Sequence, residues 1–137
     1  MSARRVEAER TLLGEILLRL RAGGFPVIPV ATPNGLHIPA RDDGERQIKA
    51  RLIARMKADG MLIPGASDLV LLWPGGGGFV ELKRPAHRDL FGYHAAGAAS
   101  EDQKAFAARC ARLGICHAYC RSWEGLIDRL GEWGALP

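Results

Sequence analysis

The sequence lacks the features that mark a membrane-spanning or disulfide-stapled protein. No apolar run approaches the roughly 20 residues needed to cross a bilayer. Met1 to Arg10 is polar and charged, unlike a signal peptide. Only three cysteines are present, Cys110, Cys116 and Cys120. An odd set cannot all pair within one chain, so free thiols in a reducing compartment are expected. There is no C-x-x-C pair, which argues against structural zinc. The glycine run Gly75 to Gly78 lacks the lysine and serine of a phosphate-binding loop and reads as a flexible hairpin turn. No internal repeat or interdomain linker interrupts the chain, so residues 1–137 read as a single domain, expected in the cytoplasm.

Charge is not extreme either. Nineteen Lys and Arg against 15 Asp and Glu give a formal +4. This permits a polyanionic partner such as nucleic acid without requiring one. With 47% hydrophobic residues in 137, the chain can bury a core without a staple.

Apolar spacing predicts a helix over residues 3–22, carrying Val6, Glu9, Leu12, Leu13, Ile16, Leu17 and Leu20 on one face and ending at Gly23-Gly24. Phe25 to Ala31, interrupted by Pro26 and Pro29, reads as an irregular or edge strand. Thr32-Pro33-Asn34-Gly35 is a turn. A second helix is expected over 44–59, with an apolar stripe of Ile48, Leu52, Ile53 and Met56. Asp68 to Trp73 and Phe79 to Lys83 read as a hairpin, the first strand apolar enough to suggest burial on both faces. Residues 84–99 lack periodicity and read as a long loop. A third helix runs from Ser100 to about Leu113, a strand over Ile115 to Arg121, and a short helix over Trp123 to Leu130. The order predicts an α/β layered domain, a central mixed β-sheet with helices on its faces.

The strongest chemical signal is Asp68, then twelve residues, then Glu81-Leu82-Lys83. Asp68 opens one strand and Glu81 lies near the end of the next. In an antiparallel pair those ends are adjacent. Glu81 and Lys83, two apart, share a face. Hard divalent cations favour carboxylate oxygens. Phosphodiester hydrolysis needs an activated water and stabilised phosphate charge, which a metal and a neighbouring amine can supply. A glutamate and a lysine two apart are common on surface hairpins. Here they border Leu69-Val70-Leu71 and Phe79-Val80, and charges at the ends of core strands require a partner or a metal.

Asn34-Gly35, the basic helix around Lys49 to Lys57, Gly65-Ala66-Ser67-Asp68, Glu81-Leu82-Lys83 and Ser100 to Gln103 follow one another in an order that resembles the VRR-NUC family. That family belongs to the restriction-endonuclease-like PD-(D/E)XK nuclease superfamily. The closing stretches Leu113-Gly114-Ile115 and Arg121-Ser122-Trp123 are similar too, so the resemblance covers nearly the whole chain. It implies a restriction-endonuclease-like fold, with Asp68 and Glu81 as metal ligands, the backbone carbonyl of Leu82 as a further ligand, and Lys83 assisting the attack. Two departures stand out. Ser67 occupies a place where the family usually has proline, and the segment from Arg84 to Ala99 is longer than usual.

The resemblance also implies a glutamate on the first helix. Glu9 continues the apolar face toward the sheet and is favoured, with Glu7 as its rival and Glu15 to the side. Gln103 is expected at the site, although Ser100 at the N-cap with Gln103 at N3 also forms a capping box that by itself explains both residues. The basic face of the second helix, Lys49 and Arg55 included, reads either as a solvated surface or as a phosphate-contacting one. Arg84, His87, Arg88 and His94 are further candidates for gripping a strand, with Arg84 and Arg88 the foremost.

The expected function is a Mg²⁺- or Mn²⁺-dependent DNA endonuclease. Without a separate sequence-reading module, DNA shape is what so small a domain reads most easily, and branched DNA such as a four-way junction is a plausible substrate. Two symmetric cuts would favour a homodimer. Stand-alone members of the family occur in phages, which implies a phage-encoded protein acting in the host cytoplasm. The competing readings are a nucleic-acid-binding module that cuts nothing and an accessory subunit of a larger nuclease or packaging machine.

Overall fold

The computed structural model describes residues 3–32, 40–60, 63–94 and 96–137, with side chains described from residue 11 onward except at 87, 89 and 94. The elements are α1 (Ala3–Ala22), β1 (Ile28–Ala31), α2 (Asp43–Ala58), β2 (Leu69–Trp73), β3 (Gly76–Leu82), β4 (His87–Asp89), β5 (Gly92–His94), α3 (Glu101–Leu113), β6 (Cys116–Cys120) and α4 (Trp123–Glu132). Strands β1, β2, β3 and β6 form a mixed sheet in that order. The first three pair antiparallel, and β6 adds parallel to β3 after the α3 crossover. The expected mixed sheet with flanking helices is therefore present. Asn34 and Gly35, expected in a turn, lie outside the described residues.

Alternation along the strands sorts the two faces. Leu69 and Leu71 of β2, Val80 and Leu82 of β3, and Ala118 and Cys120 of β6 are buried against Ile16 and Leu20 of α1 and Leu126 and Leu130 of α4. Fully burying one such aliphatic side chain contributes about 1.5–3 kcal/mol, so this face is where most of the stability resides. Glu9, favoured from the sequence as the first-helix acid, lies in α1. Its backbone is helical, but its side chain lies outside the described set.

The second face is only half covered. Phe106 of α3 packs edge-on to Phe79 of β3, ring centroids 5.1 Å apart. Over β1 and β2, by contrast, Ile28, Val30 and Leu72 are exposed. Strand β2 is thus buried on one face and partly open on the other, not buried on both as its apolar run suggests. α2 has no buried residue.

Two readings of the glycine- and alanine-rich segments change. Gly76 to Gly78 belong to β3 and not to the turn, which shrinks to Pro74-Gly75. The reason is steric. A Cβ at Gly76 would sit 2.6 Å from the Trp73 indole nitrogen, and one at Gly78 would sit 3.1 Å from the Trp133 ring. The two indoles stack at 5.8 Å and take the space that side chains on this strand would need. Residues 84–99 are not a structureless loop either: they contain the β4–β5 hairpin, with His87 opposite His94 and Arg88 opposite Tyr93. A three-residue strand is too short to show in sequence periodicity.

Candidate active site

Asp68, Glu81, Lys83 and Gln103 come together at the end of the sheet where β2 begins and β3 finishes. Leu69 pairs with Val80. Continuing that register one step sets Asp68 opposite Glu81, and residues directly opposite hold their Cβ atoms about 4.5–5.5 Å apart. The Leu82 amide donates to Asp68 Oδ2 at 3.0 Å. The strand that carries Glu81 therefore orients Asp68 as well. Thr32 secures the other side. Its amide donates to the Asp68 carbonyl at 3.0 Å, and its Oγ1 donates to the Ser67 carbonyl at 2.6 Å.

Glu81 is 4% exposed and Lys83 3%. Buried charges persist only when paired and hydrogen-bonded, and these two are both. Lys83 Nζ lies 3.7 Å from Glu81 Oε1. Gln103 bridges them: Nε2 donates to Glu81 Oε1 at 2.7 Å, and Oε1 accepts from Lys83 Nζ at 2.5 Å. The same Oε1 accepts from the Ser100 amide at 3.0 Å, while Ser100 Oγ accepts from the Gln103 amide at 3.2 Å. The capping box and the contact with the carboxylate–amine pair thus coexist in one side chain. The local geometry of the helix start aims the amide at the sheet end.

The loop before Asp68 is pressed against the same helix start. Gly65 has φ +76, and a Cβ there would come 2.1 Å from the Asp102 carbonyl oxygen. Only glycine allows this approach. It locks the Asp68 segment to the first turn of α3, and so to Gln103.

Two residues that sequence reasoning missed belong to this region. Tyr119 stands beside Glu81 in the β3–β6 register and donates from its hydroxyl to the Gln103 carbonyl at 3.3 Å. Burial, then the Glu81 carboxylate, pushes its phenol above the ordinary value, with Lys104 opposing. Arg121 donates to the Gly97 carbonyl at 3.3 Å and holds the segment that returns from the β4–β5 hairpin. The available signal was the alternation in β6, where His117, Tyr119 and Arg121 interleave with Cys116, Ala118 and Cys120.

Of the other candidates, Arg84 directly follows Lys83, and its carbonyl accepts from the Gly97 amide at 2.9 Å. Arg88 is exposed on β4. Lys49 and Arg55 lie on α2, and Arg55 Nε is 3.8 Å from Asp59. Among the described residues nothing ties either to the cluster. Cys110 and Cys120 are buried thiols and Cys116 is half-buried. Burial pushes Cys120 up to about 11, against the opposing pull of Arg129.

Among the described residues no group of three or more His, Cys, Asp or Glu side chains converges on a point. Asp68 and Glu81 supply two carboxylates at opposed register positions, and the Leu82 carbonyl is a third oxygen on the strand that carries Glu81. One or two carboxylates suit an ion such as Mg²⁺, which keeps several of its own waters. The donor set therefore fits a hard divalent cation and does not fit a thiolate- or imidazole-bound one. An apolar groove lined by Phe25, Val27, Leu72 and Trp73 lies at the opposite end of β2, away from these groups. No helix among the described residues is long and apolar enough to cross a membrane. No family model, curated protein or solved structure matches the chain.

Proposed function

We propose that the protein is a metal-dependent DNA endonuclease of VRR-NUC type, with a restriction-endonuclease-like arrangement of its mixed sheet. One observation carries the reading: a buried carboxylate–ammonium pair, Glu81 and Lys83, tied together by Gln103 and set across from Asp68. A surface hairpin with ordinary charges would leave these groups in water. Burying them requires a compensating network, and here the network leaves two carboxylates on adjacent strands facing one another.

In this reading Asp68, Glu81 and the Leu82 carbonyl hold Mg²⁺ or Mn²⁺, with Glu9 on α1 as a further candidate. The bound ion would activate water and neutralise phosphate charge. The chain's own groups do the rest. The Leu82 amide fixes the rotamer of Asp68. Gln103 holds the Lys83 ammonium over Glu81, so that Nζ is available to donate to the attacking water or to a phosphate oxygen. Tyr119 braces the α3 backbone behind Gln103. Phosphate contacts from Arg84 and Arg88 would supply salt-dependent affinity without sequence preference.

Nicking of supercoiled plasmid in Mg²⁺ and Mn²⁺ tests the reading, with single strand, duplex, flap and four-way junction as a substrate panel. Cleavage should depend on the metal and be lost in Lys83→Ala. Equal cleavage by both proteins would exclude the mechanism. Binding without cleavage by the native chain would favour a non-cutting module or an accessory subunit.

The exposed apolar residues Ile48 and Leu52 on α2, and Ile28, Val30 and Leu72 on the open sheet face, support self-association. A two-fold dimer would present two centres to a symmetric branched substrate. Light scattering on the purified chain checks this.

A further inference from the structure

The β4–β5 hairpin carries its most apolar residues where a hairpin normally carries polar ones. Asp89 pairs with Gly92, so Leu90 and Phe91 form the two-residue connection between the strands. Such connections favour Asn, Asp and Gly. Here Leu90 is 100% exposed, Phe91 81% and Tyr93, on the returning strand, 65%. An isolated two-stranded hairpin is marginal in water. This one is anchored at its base, where the Gly97 amide donates to the Arg84 carbonyl and Arg121 donates to the Gly97 carbonyl. Both anchors lie beside the exit of the strand that presents Glu81 and Lys83.

Leu90 and Phe91 at the tip are seven and eight residues along the chain from Lys83. At about 3.3 Å per extended residue, the tip stays within roughly 25 Å of the lysine. That is on the order of seven base steps along one strand. The tip is therefore within reach of bases near a phosphodiester held at the cluster, and Arg84 and Arg88 lie along the chain between Lys83 and the tip.

We infer that the Leu90–Phe91 tip is an apolar wedge that enters an unstacked or branched step of DNA next to the scissile bond, while Arg84 and Arg88 contact the flanking phosphates. The inference rests on the nuclease reading and names the substrate feature that this site selects. Leucine and phenylalanine are among the side chains that proteins insert between base steps. The area argues for DNA over a protein partner. Leu90, Phe91 and Tyr93 together offer on the order of 500 Å², short of the roughly 800 Å² per partner of a stable protein interface. A wedge needs one or two side chains. Opening a continuous duplex costs energy that an already unpaired or mismatched site does not demand, so the wedge converts two exposed residues into a preference for branched DNA.

The test uses the full chain without divalent metal, bound to a four-way junction carrying 2-aminopurine at the branch point or to a continuous duplex of equal length. The native protein should raise 2-aminopurine fluorescence on the junction. Leu90→Ser/Phe91→Ser should abolish that rise and reduce the junction-over-duplex affinity ratio at least tenfold. Arg88→Ala should weaken both complexes alike and lower the salt slope by about 1. An unchanged fluorescence rise and affinity ratio in the double variant would overturn the wedge while leaving nuclease activity intact. Absence of any DNA binding by the native chain, both without metal and with Ca²⁺ as a non-catalytic cation at the carboxylates, would overturn wedge and nuclease reading together. A sedimentation change of the free protein in the double variant, without a change on DNA, would assign the tip to contact between copies and overturn the wedge. The substituted side chains are solvent-exposed at the tip, and an unaltered melting temperature checks that the fold is kept.

Discussion

Glu81 near the end of β3 and Lys83 just past it are held 3.7 Å apart by a single amide that belongs to another element. Gln103 donates to the carboxylate and accepts from the ammonium, and the same oxygen closes the N-terminal cap of α3. Helix stability and site geometry are therefore coupled through one side chain, and substitutions on the two sides of the cap separate them. Ser100→Ala should cost about 1 kcal/mol of stability and leave metal-dependent cleavage close to native. Gln103→Ala should lower cleavage by about 10–100-fold, as loss of an orienting partner does, with a larger drop in melting temperature than Ser100→Ala, because two buried charges lose a hydrogen-bond partner. Nicking rates and thermal melts of both variants check this.

Gly65 makes the strictest demand on the backbone. Alanine there would meet the Asp102 carbonyl at 2.1 Å while held at φ +76. The left-handed region alone costs a non-glycine residue about 1–2 kcal/mol, and the clash with backbone adds to it. Gly65→Ala should destabilise by more than that figure and separate the Asp68 segment from α3. Chemical denaturation measures the loss, and residual cleavage should fall further than in Ser100→Ala.

Asp68 tests the cation directly. A ligand that binds only the folded chain stabilises it by about 2.7 kcal/mol at 100 times its dissociation constant. Mg²⁺ or Mn²⁺ should therefore raise the melting temperature of the native protein, and Asp68→Asn should remove that rise. Without metal the variant should melt no lower than native. The asparagine oxygen can still accept from Leu82, and one of two facing carboxylates is gone.

His117 packs against Phe106 at 5.8 Å and Tyr119 at 5.1 Å, and burial pushes it below its ordinary 6.5. The folded state thus excludes a proton that the unfolded chain accepts. Its contribution to stability is complete above about pH 6.5 and is lost progressively as the pH falls below it. Melting temperatures at pH 7.5 and 5.5 should differ more in the native protein than in His117→Gln.

Ser67 is fully buried, and its hydroxyl has no hydrogen-bond partner among the described residues. Its carbonyl, not its side chain, takes the Thr32 contact. Ser67→Ala should be neutral or stabilising by up to about 1 kcal/mol, because it removes a desolvated polar group without removing a partner. A urea melt decides, and a loss of stability would contradict the geometry.

Local pattern and chemistry were legible in the chain itself. The 3.6 spacing of Leu13, Ile16 and Leu20 determines α1, and Ser100 with Gln103 determines where α3 starts, because short-range geometry decides both. The alternation around Asp68, Glu81 and Lys83 puts the two carboxylates and the amine at one sheet end, because strand period and antiparallel pairing depend only on neighbouring residues. Long-range packing decided the rest. Gly76 to Gly78 are strand because they pair with Leu71 to Trp73, and glycine is needed at 76 and 78 because Trp73 and Trp133 lie where side chains would go. Gln103 meets Glu81 only once the first turn of α3 has packed against the sheet end, where Gly65 lets the loop before Asp68 approach it. Tyr119 stands beside Glu81 only because β6 pairs parallel to β3. Local pattern can mark such residues as candidates but cannot pair them, since each contact joins residues that meet only once the layers have packed.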